Sequence, residues 1–550
     1  MRQGLPLMQF LRPPFAREGG LVQALVMAGL FGAASVAHGQ TASNGLSSAA
    51  PEPLSARQTP AAGGDGQNDR RQMSLVPRVS VEGTWTDNVR ARGGVDKVAD
   101  FVTSVSPGLR FTAEGDRLKA HVDYSLTRQL HARERSLDRN QNALRALGSM
   151  EVVDNFAFVD FTGNISQQTI SAFGTRSDSN VIDNPNRTEA AQYRVSPYMR
   201  GRFGDWSQYE LRYGRTAARS KSDLVAADYD LDDLSLRLAS TSQQRVIGWS
   251  LDANHQKQDY ASGRSYESDR VRAFLTHPFT PQLSVSVIPG WESNNYASQD
   301  KESHATFGGQ VQWALSERTR LSALVEKRFF GRAYNVNFEH RTPRSAWRFS
   351  DSRDASSTPS QAGSFSVGTL YDLYFFQFAS IEPDPARRAQ LVNSFLLANG
   401  LDGNTSIDLG FLSSSVTLTR RRDASFTLIG LRDTLSFSVS QSETSRLRQV
   451  IADTGEDLGN SNYVRQHGLS VVYSRRLTPQ SSLSVIGSMS RAAGEQGSAQ
   501  TRDLQSLNIS LSTKLGPHTT GTLGLRRTVS AGSLSSYSES ALRGGISLQF

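Results

Sequence analysis

Few side chains in this sequence are grouped in a way that supports covalent chemistry. Nine histidines are scattered, with no HExxH and no pair at metal-ligand spacing. Cysteine is absent, which removes thiolate catalysis, disulfides, Cys-based zinc sites and a lipoprotein anchor. His121 lies on the polar face of an alternating run, and a lone imidazole there is a solvated side chain unless partners converge on it. The acidic stretch ADYDLDD (227–233) places Asp228, Asp230 and Asp232 on one side, and oxygen donors suit calcium. It lacks the glycine-containing spacing of a calcium loop, so a solvated loop is the simpler reading. Asp453, Glu456 and Asp457 read the same way. No Walker, Rossmann or GxSxG motif is present. The sequence therefore predicts no catalytic residue, no metal site and no cofactor.

Arginine is the positive feature. Arg212, Arg526 and Arg543 fall on polar strand faces, and Arg420, Arg421 and Arg422 crowd what reads as a short periplasmic turn. Planar guanidinium groups pair well with carboxylates and sugar hydroxyls, and rings of such charge set anion preference in pores. The competing reading is that each is neutralised by Asp or Glu across the wall.

The elements that would position these residues follow from composition and periodicity. The chain has 550 residues, only 37% of them hydrophobic, and a mean hydropathy of −0.43. Its body contains no run of about 20 apolar residues, as a membrane helix requires. Half-apolar strands with a polar second face give this average. Four runs show the alternation: KAHVDYSLT (119–127), GWSLDANHQ (248–256), LSVSVIPGW (283–291) and SLNISLSTKL (506–515). Such runs exceed the ~5–6 residues of a globular strand and match the ~9–11 of a tilted membrane strand. Short turns, such as Gly115-Asp116, Gly204-Asp205, Thr241–Gln244, Thr342–Ser345, Arg421–Ala424 and Gly516–Thr519, alternate with long polar stretches such as 169–190 and 441–461. That asymmetry belongs to a transmembrane outer-membrane β-barrel, all-β and antiparallel. An opening strand near 75–89, a closing one at 538–550 and ten hairpins between predict 22 strands. The count falls within 16–20 if the weaker hairpins at 140–168 and 333–354 are loops. Trp206, Tyr209, Trp249, Trp291 and Trp313 sit near run ends, where an aromatic girdle belongs.

In ALRGGISLQF (541–550), Leu542, Ile546, Leu548 and Phe550 share one side. They are expected to face lipid and to serve as the signal read by the outer-membrane assembly machinery. At the other end, three arginines precede the apolar run at 20–37, and Ala37 and Gly39 suit a cleavage site. Residues 1–39 thus read as a signal peptide, with an uncleaved anchor helix as the rival. Residues 40–72 read as a disordered periplasmic linker and 73–550 as the barrel.

Residues 355–407 are the longest insertion. Asp384 caps and Pro385 opens a helix over 385–398, with Ala389, Val392, Phe395 and Leu396 on one apolar face. Packing on the barrel mouth, a plug or constriction in the lumen, or a docking surface would each bury it.

The stretches TWTDNV (84–89), FVTSVSPGLRF (101–111), HRTPRSAWRFSDSRD (340–354) and DPARRAQLVNSFLLANG (384–400) resemble the PEP-CTERM system-associated outer-membrane protein family. The resemblance implies a place among exopolysaccharide-synthesis and exosortase sorting loci, with no established catalytic residues. The net charge is +8, of which Arg2, Arg12, Arg17 and Glu18 supply +2. No basic block with interleaved aromatics appears, so nucleic acid is not an expected partner. Expected partners are outer-membrane lipid, the assembly machinery, periplasmic polysaccharide-export proteins and anionic polysaccharide. The leading expectation is a non-enzymatic conduit or accessory barrel for exopolysaccharide export or surface-protein sorting. A general or solute-specific porin is the alternative, and a barrel enzyme acting on lipid or polymer comes third.

Overall fold

The computed structural model describes residues 72–221, 228–241, 247–261, 265–356, 370–378, 382, 384–398, 401, 403, 410–413, 416–447, 461–495, 500–533 and 535–550. The signal peptide, the linker before Gln72, Gly400 and the Asp453–Asp457 cluster lie outside them.

Twenty-two antiparallel strands form one sheet. In chain order they begin β1 Gln72–Thr86, β2 Asp100–Glu114, β3 Leu118–His131, β4 Arg139–Val153, β5 Ala157–Thr169, β6 Arg187–Phe203 and β7 Ser207–Ser220. There follow β8 Tyr229–Ser240, β9 Gly248–Tyr260, β10 Tyr266–Thr280, β11 Leu283–Asn294, β12 Glu302–Ser316, β13 Thr319–Arg328, β14 Gly331–Arg341 and β15 Ser345–Ser356. The last seven are β16 Thr417–Ile429, β17 Asp433–Arg446, β18 Tyr463–Arg476, β19 Ser481–Ala493, β20 Thr501–Lys514, β21 Thr519–Gly532 and β22 Tyr537–Gln549. β1 pairs with β22 in the register Val81↔Ile546 and Trp85↔Leu542, so the sheet closes without an edge. Closure is what hydrocarbon demands, because an unpaired backbone group there costs several kcal/mol.

Alternation assigns the two faces. Leu542, Ile546, Leu548 and Phe550 project outward, Phe550 being 69% exposed. Trp206, Trp291 and Trp313 are exposed on the same face, joined by Trp85 and Trp347, and Trp206 stacks toward Trp249 with centroids 6.1 Å apart. Inward positions carry Ser, Thr, Gln, His and Arg. The hairpins at 140–168 and 333–354 are genuine strand pairs, β4–β5 and β14–β15. The fold is a transmembrane outer-membrane barrel with the best-count strand number.

Two local expectations fail. Arg420–Arg422 are not a turn: Arg421 pairs with Ser352 on one side and Ser442 on the other, well inside β16. The turn comes at Gly430–Arg432, closed by Gly430 N–H on the Asp433 carbonyl at 2.7 Å. A polar run does not by itself break a strand: here Arg420 and Arg422 face outward and continue β16 above the lipid level. Likewise, Asp230 and Asp232 lie on β8, not in a loop, and pair with Arg219 at 2.9 Å and Arg215 at 3.0 Å.

The described helices of the insertion between β15 and β16 lie inside the barrel. They are α1 (Leu370–Gln377) and α2 (Pro385–Ala398). Asp384 caps α2 through bonds from the N–H groups of Ala386 at 2.9 Å and Arg387 at 3.2 Å. Pro385 takes the first helical position, where its missing N–H costs nothing. The helix bounds match the expected 385–398. α1 was not anticipated.

Candidate functional site: a lumen filled by its own chain

α1 and α2 pack on each other and on the inner wall. Val392 and Ala389 of α2 and Leu370 and Tyr374 of α1 are fully buried, and Leu396 nearly so, with Phe395 against them. The wall answers with Val472 and Ile486, and with Leu147 alongside. These are inward positions of β18, β19 and β4, where an open pore would carry polar side chains. Burying a side chain of this size stabilises by about 1.5–3 kcal/mol.

Polar contacts then fix depth. Lys119 Nζ meets Asp384 at 3.0 Å, Gln390 donates to Glu114 at 3.2 Å, and Asn393 Nδ2 lies 3.3 Å from His121 Nε2. The phenol of Tyr374 lies 3.0 Å from the Ser436 hydroxyl, and Thr427 donates to Gln377 at 2.9 Å. Glu114 and Lys119 flank one short turn, and Thr427 and Ser436 flank another. The helices therefore stand near the short-turn end of the lumen. Burial pushes the Asp384 carboxyl up, but the Lys119 ammonium and two backbone N–H groups outweigh it and hold the pKa below the usual range. Burial pushes the Tyr374 phenol up to about 12. His121 is not a solvated lumen residue but is buried beneath α2.

A second segment, 170–186, crosses inside the long-loop rim. Phe173 packs with Phe411, Val464 and Ala492, and Val181 with Val89 and Val102. Arg502 of β20, 1% exposed, donates to the Phe173 carbonyl at 3.1 Å and to the Ser535 carbonyl at 2.6 Å. Tyr537 donates to the Arg176 carbonyl at 2.6 Å. Arg176 donates to the Gly410 carbonyl at 3.4 Å and Phe173 packs on Phe411, so the two inserted segments meet.

The predicted lumen arginines point inward, but two of the three are neutralised. Arg212 pairs with Asp160 at 2.6 Å and Glu210 at 3.2 Å, under the Tyr198 ring. Arg526 pairs with Glu539 at 2.7 Å, a carboxylate with no exposed surface that also accepts from Thr86 at 2.9 Å. They brace the wall and do not form a selectivity ring. Arg543 has no ion-pair partner among the described residues. It lies flat on Gly524, where an added Cβ would come 2.5 Å from its Nε. Farther round, Glu326 meets Arg270 and Arg272, and Glu292 meets Arg328 at 2.9 Å, with Arg328 also reaching Asp354. Beside Gln377 a cleft opens between α1 and the wall, where four arginines (Arg318, Arg320, Arg341, Arg348) outnumber two glutamates (Glu317, Glu339). No group of three or more His, Asp or Glu suited to a metal occurs among the described residues.

The arginine pairing was hidden because a strand pattern tells which face a residue occupies but not which acid on the same or a further strand comes within reach. The plug's docking surface did leave a signal: Val471-Val472 and Val485-Ile486 are apolar doublets that break the alternation.

No family model matches the chain, and no curated protein does. Among solved structures, it is similar to the siderophore receptor PirA of Pseudomonas aeruginosa at 9% identity, covering 88% of this chain and 81% of that one, with a TM-score of 0.43. The ferric enterobactin receptor PfeA of the same organism gives 11% identity over 87% and 81%, with a TM-score of 0.45. The FrpB iron transporter of Neisseria meningitidis gives 9% over 86% and 81%, at 0.44. Likeness at this level goes no further than the form of the barrel.

Proposed function

We propose that this protein is a non-enzymatic, solute-specific barrel of the outer membrane that passes a small polar solute around or past its own internal plug. The observation that carries the reading is the inward-folded insertion, α1 and α2, seated on the apolar patch of Leu147, Val472 and Ile486. A barrel of this strand number encloses a lumen that is plugged in outer-membrane transporters of the same size. The basic lining of the cleft beside Gln377 favours an anionic solute. Membership of the PEP-CTERM system-associated family, carried by the motifs quoted above, belongs to this proposal, as do cleavage of residues 1–39 and recognition of Leu542, Ile546, Leu548 and Phe550 by the assembly machinery. An always-open exopolysaccharide conduit is the poorer reading, because the plug stands where the polymer would run.

Planar-bilayer recording tests it. The intact protein should give small or intermittent conductance that an acidic sugar reduces, and removal of residues 370–398 should give large steady conductance. Large conductance of the intact protein, unchanged by the deletion, would overturn the proposal.

A further inference from the structure

We propose that the outer face of β13–β16 binds the phosphorylated headgroup of a lipid in the outer leaflet. Five cations gather there, on the lipid-facing side and toward the long-loop rim. Lys327 stands directly opposite Arg332, and Arg353 directly opposite Arg420, with Arg422 one outward position nearer the membrane. Like charges directly opposite on paired strands repel. Asp351 relieves the second pair in part through Arg420, whereas no described carboxylate relieves the first.

The nearest acid is already occupied. Asp351 receives Arg420 at 3.5 Å, Arg422 at 3.4 Å and the Tyr334 hydroxyl at 3.1 Å. Glu443, opposite Arg420 on β17, takes Gln441 at 2.9 Å and Arg465 at 3.6 Å. Arg353 donates to the Arg332 carbonyl at 2.6 Å and lies over the Phe330 ring. Lys327 and Arg332 are exposed and have no carboxylate partner among the described residues.

Position selects a lipid over a free anion. On the same face, toward the short turns, stand Val325, Phe338, Phe349, Trp347, Phe426 and Leu428. The cations therefore start where the apolar belt stops, at headgroup height, with a greasy wall below for acyl chains. Guanidinium forks match phosphate oxygens in pairs. The excess is local. On the outer face of β7–β10, Arg215 and Arg219 each meet an aspartate within 3.0 Å and Lys257 meets Asp259 at 3.8 Å, while Lys301, just before β12, meets Glu267 at 2.7 Å.

The test measures binding of phosphatidic acid and of phosphatidylcholine, as single lipids in detergent micelles, to the full-length protein. Inorganic phosphate serves as a third probe. Phosphatidic acid should bind in preference to phosphatidylcholine. The Arg353→Gln/Arg420→Gln and Lys327→Gln/Arg332→Gln variants should each bind it roughly thirtyfold more weakly, given the usual gain per basic residue at an anionic surface. Arg215→Gln/Arg219→Gln should bind as the parent does. Gel migration that depends on heating will show that each barrel is intact. Equal losses in all three variants, or equal affinity for the two lipids, would overturn the proposal. Inorganic phosphate competing at the lipid's own concentration would overturn the lipid assignment.

Discussion

On β4, β18 and β19 the inner wall presents Leu147, Val472 and Ile486 to α1 and α2, whereas on β10, β11, β13 and β15 it presents Arg270, Arg272, Glu292, Glu326, Arg328 and Asp354 to one another. Val472, Ile486, Glu292, Glu326 and Arg328 are all buried, by different means in the two arcs. Apolar side chains inside a pore make sense only under a lid of chain, so that arc exists for the plug. A charge network finds its counter-charges within the wall, so that arc belongs to the wall. The first kind of contact releases its partner when a few methyl groups or one ion pair are lost. The second kind breaks only at a large cost to the fold.

The largest effect should therefore come from the charged arc. Glu326→Ala leaves Arg270 and Arg272 without their counter-charge, and stability should fall by about 3–5 kcal/mol. Denaturant unfolding of the barrel in micelles reads this, and a loss well under about 1 kcal/mol would erase the contrast between the arcs. Next comes the apolar arc. Ile486→Ala should weaken docking of the insertion by about 2–4 kcal/mol, with cleavage at 370–398 by added protease rising and global unfolding little changed. Equal shifts in both readouts would mean that plug and wall are one cooperative unit.

A smaller effect attaches to Asp384. Its pKa lies below the ordinary 3.8, so its ionised form contributes fully to plug docking above that value. The contribution is lost as pH falls through the depressed folded-state pKa. Protease sensitivity of the insertion should hold steady from neutral pH to about pH 4 and climb below it, a step that Asp384→Asn flattens while keeping the helix cap. Because Lys119 is partly exposed, the step should be worth at most about 1 kcal/mol. The smallest effect is expected of Arg215→Gln, an exposed partner of Asp232, which should change barrel stability by less than about 0.5 kcal/mol.

Much of this architecture is legible in the sequence, for a physical reason. A wall between lipid and water imposes period two on every strand, so the strand number, the outward Leu542, Ile546 and Leu548, and the Asp384 cap can all be read locally. α1 escapes that reading because LYDLYFFQ is apolar at most positions, with Leu370, Tyr371, Leu373 and Tyr374 all buried, so no single face marks it as a helix. Arg420–Arg422 mislead because a charged stretch signals equally a turn or a strand rising out of the lipid. The partners of Arg212 and Arg526 escape because neither is the residue directly opposite: Asp160 stands on β5, beyond β6, and Glu539 lies diagonally across on β22.

The central claim is that the insertion sits inside the barrel, and crosslinking tests it most directly, since the chain has no cysteine of its own. His121 and Asn393 approach to 3.3 Å, and Ser484 and Ser510, which face each other across β19 and β20 at 2.6 Å, supply a control pair. Paired cysteines at 121 and 393, treated with a short bifunctional maleimide in outer-membrane vesicles, should join as completely as the pair at 484 and 510. A control pair that joins while 121 and 393 stay apart would place the helices outside the lumen and contradict the account.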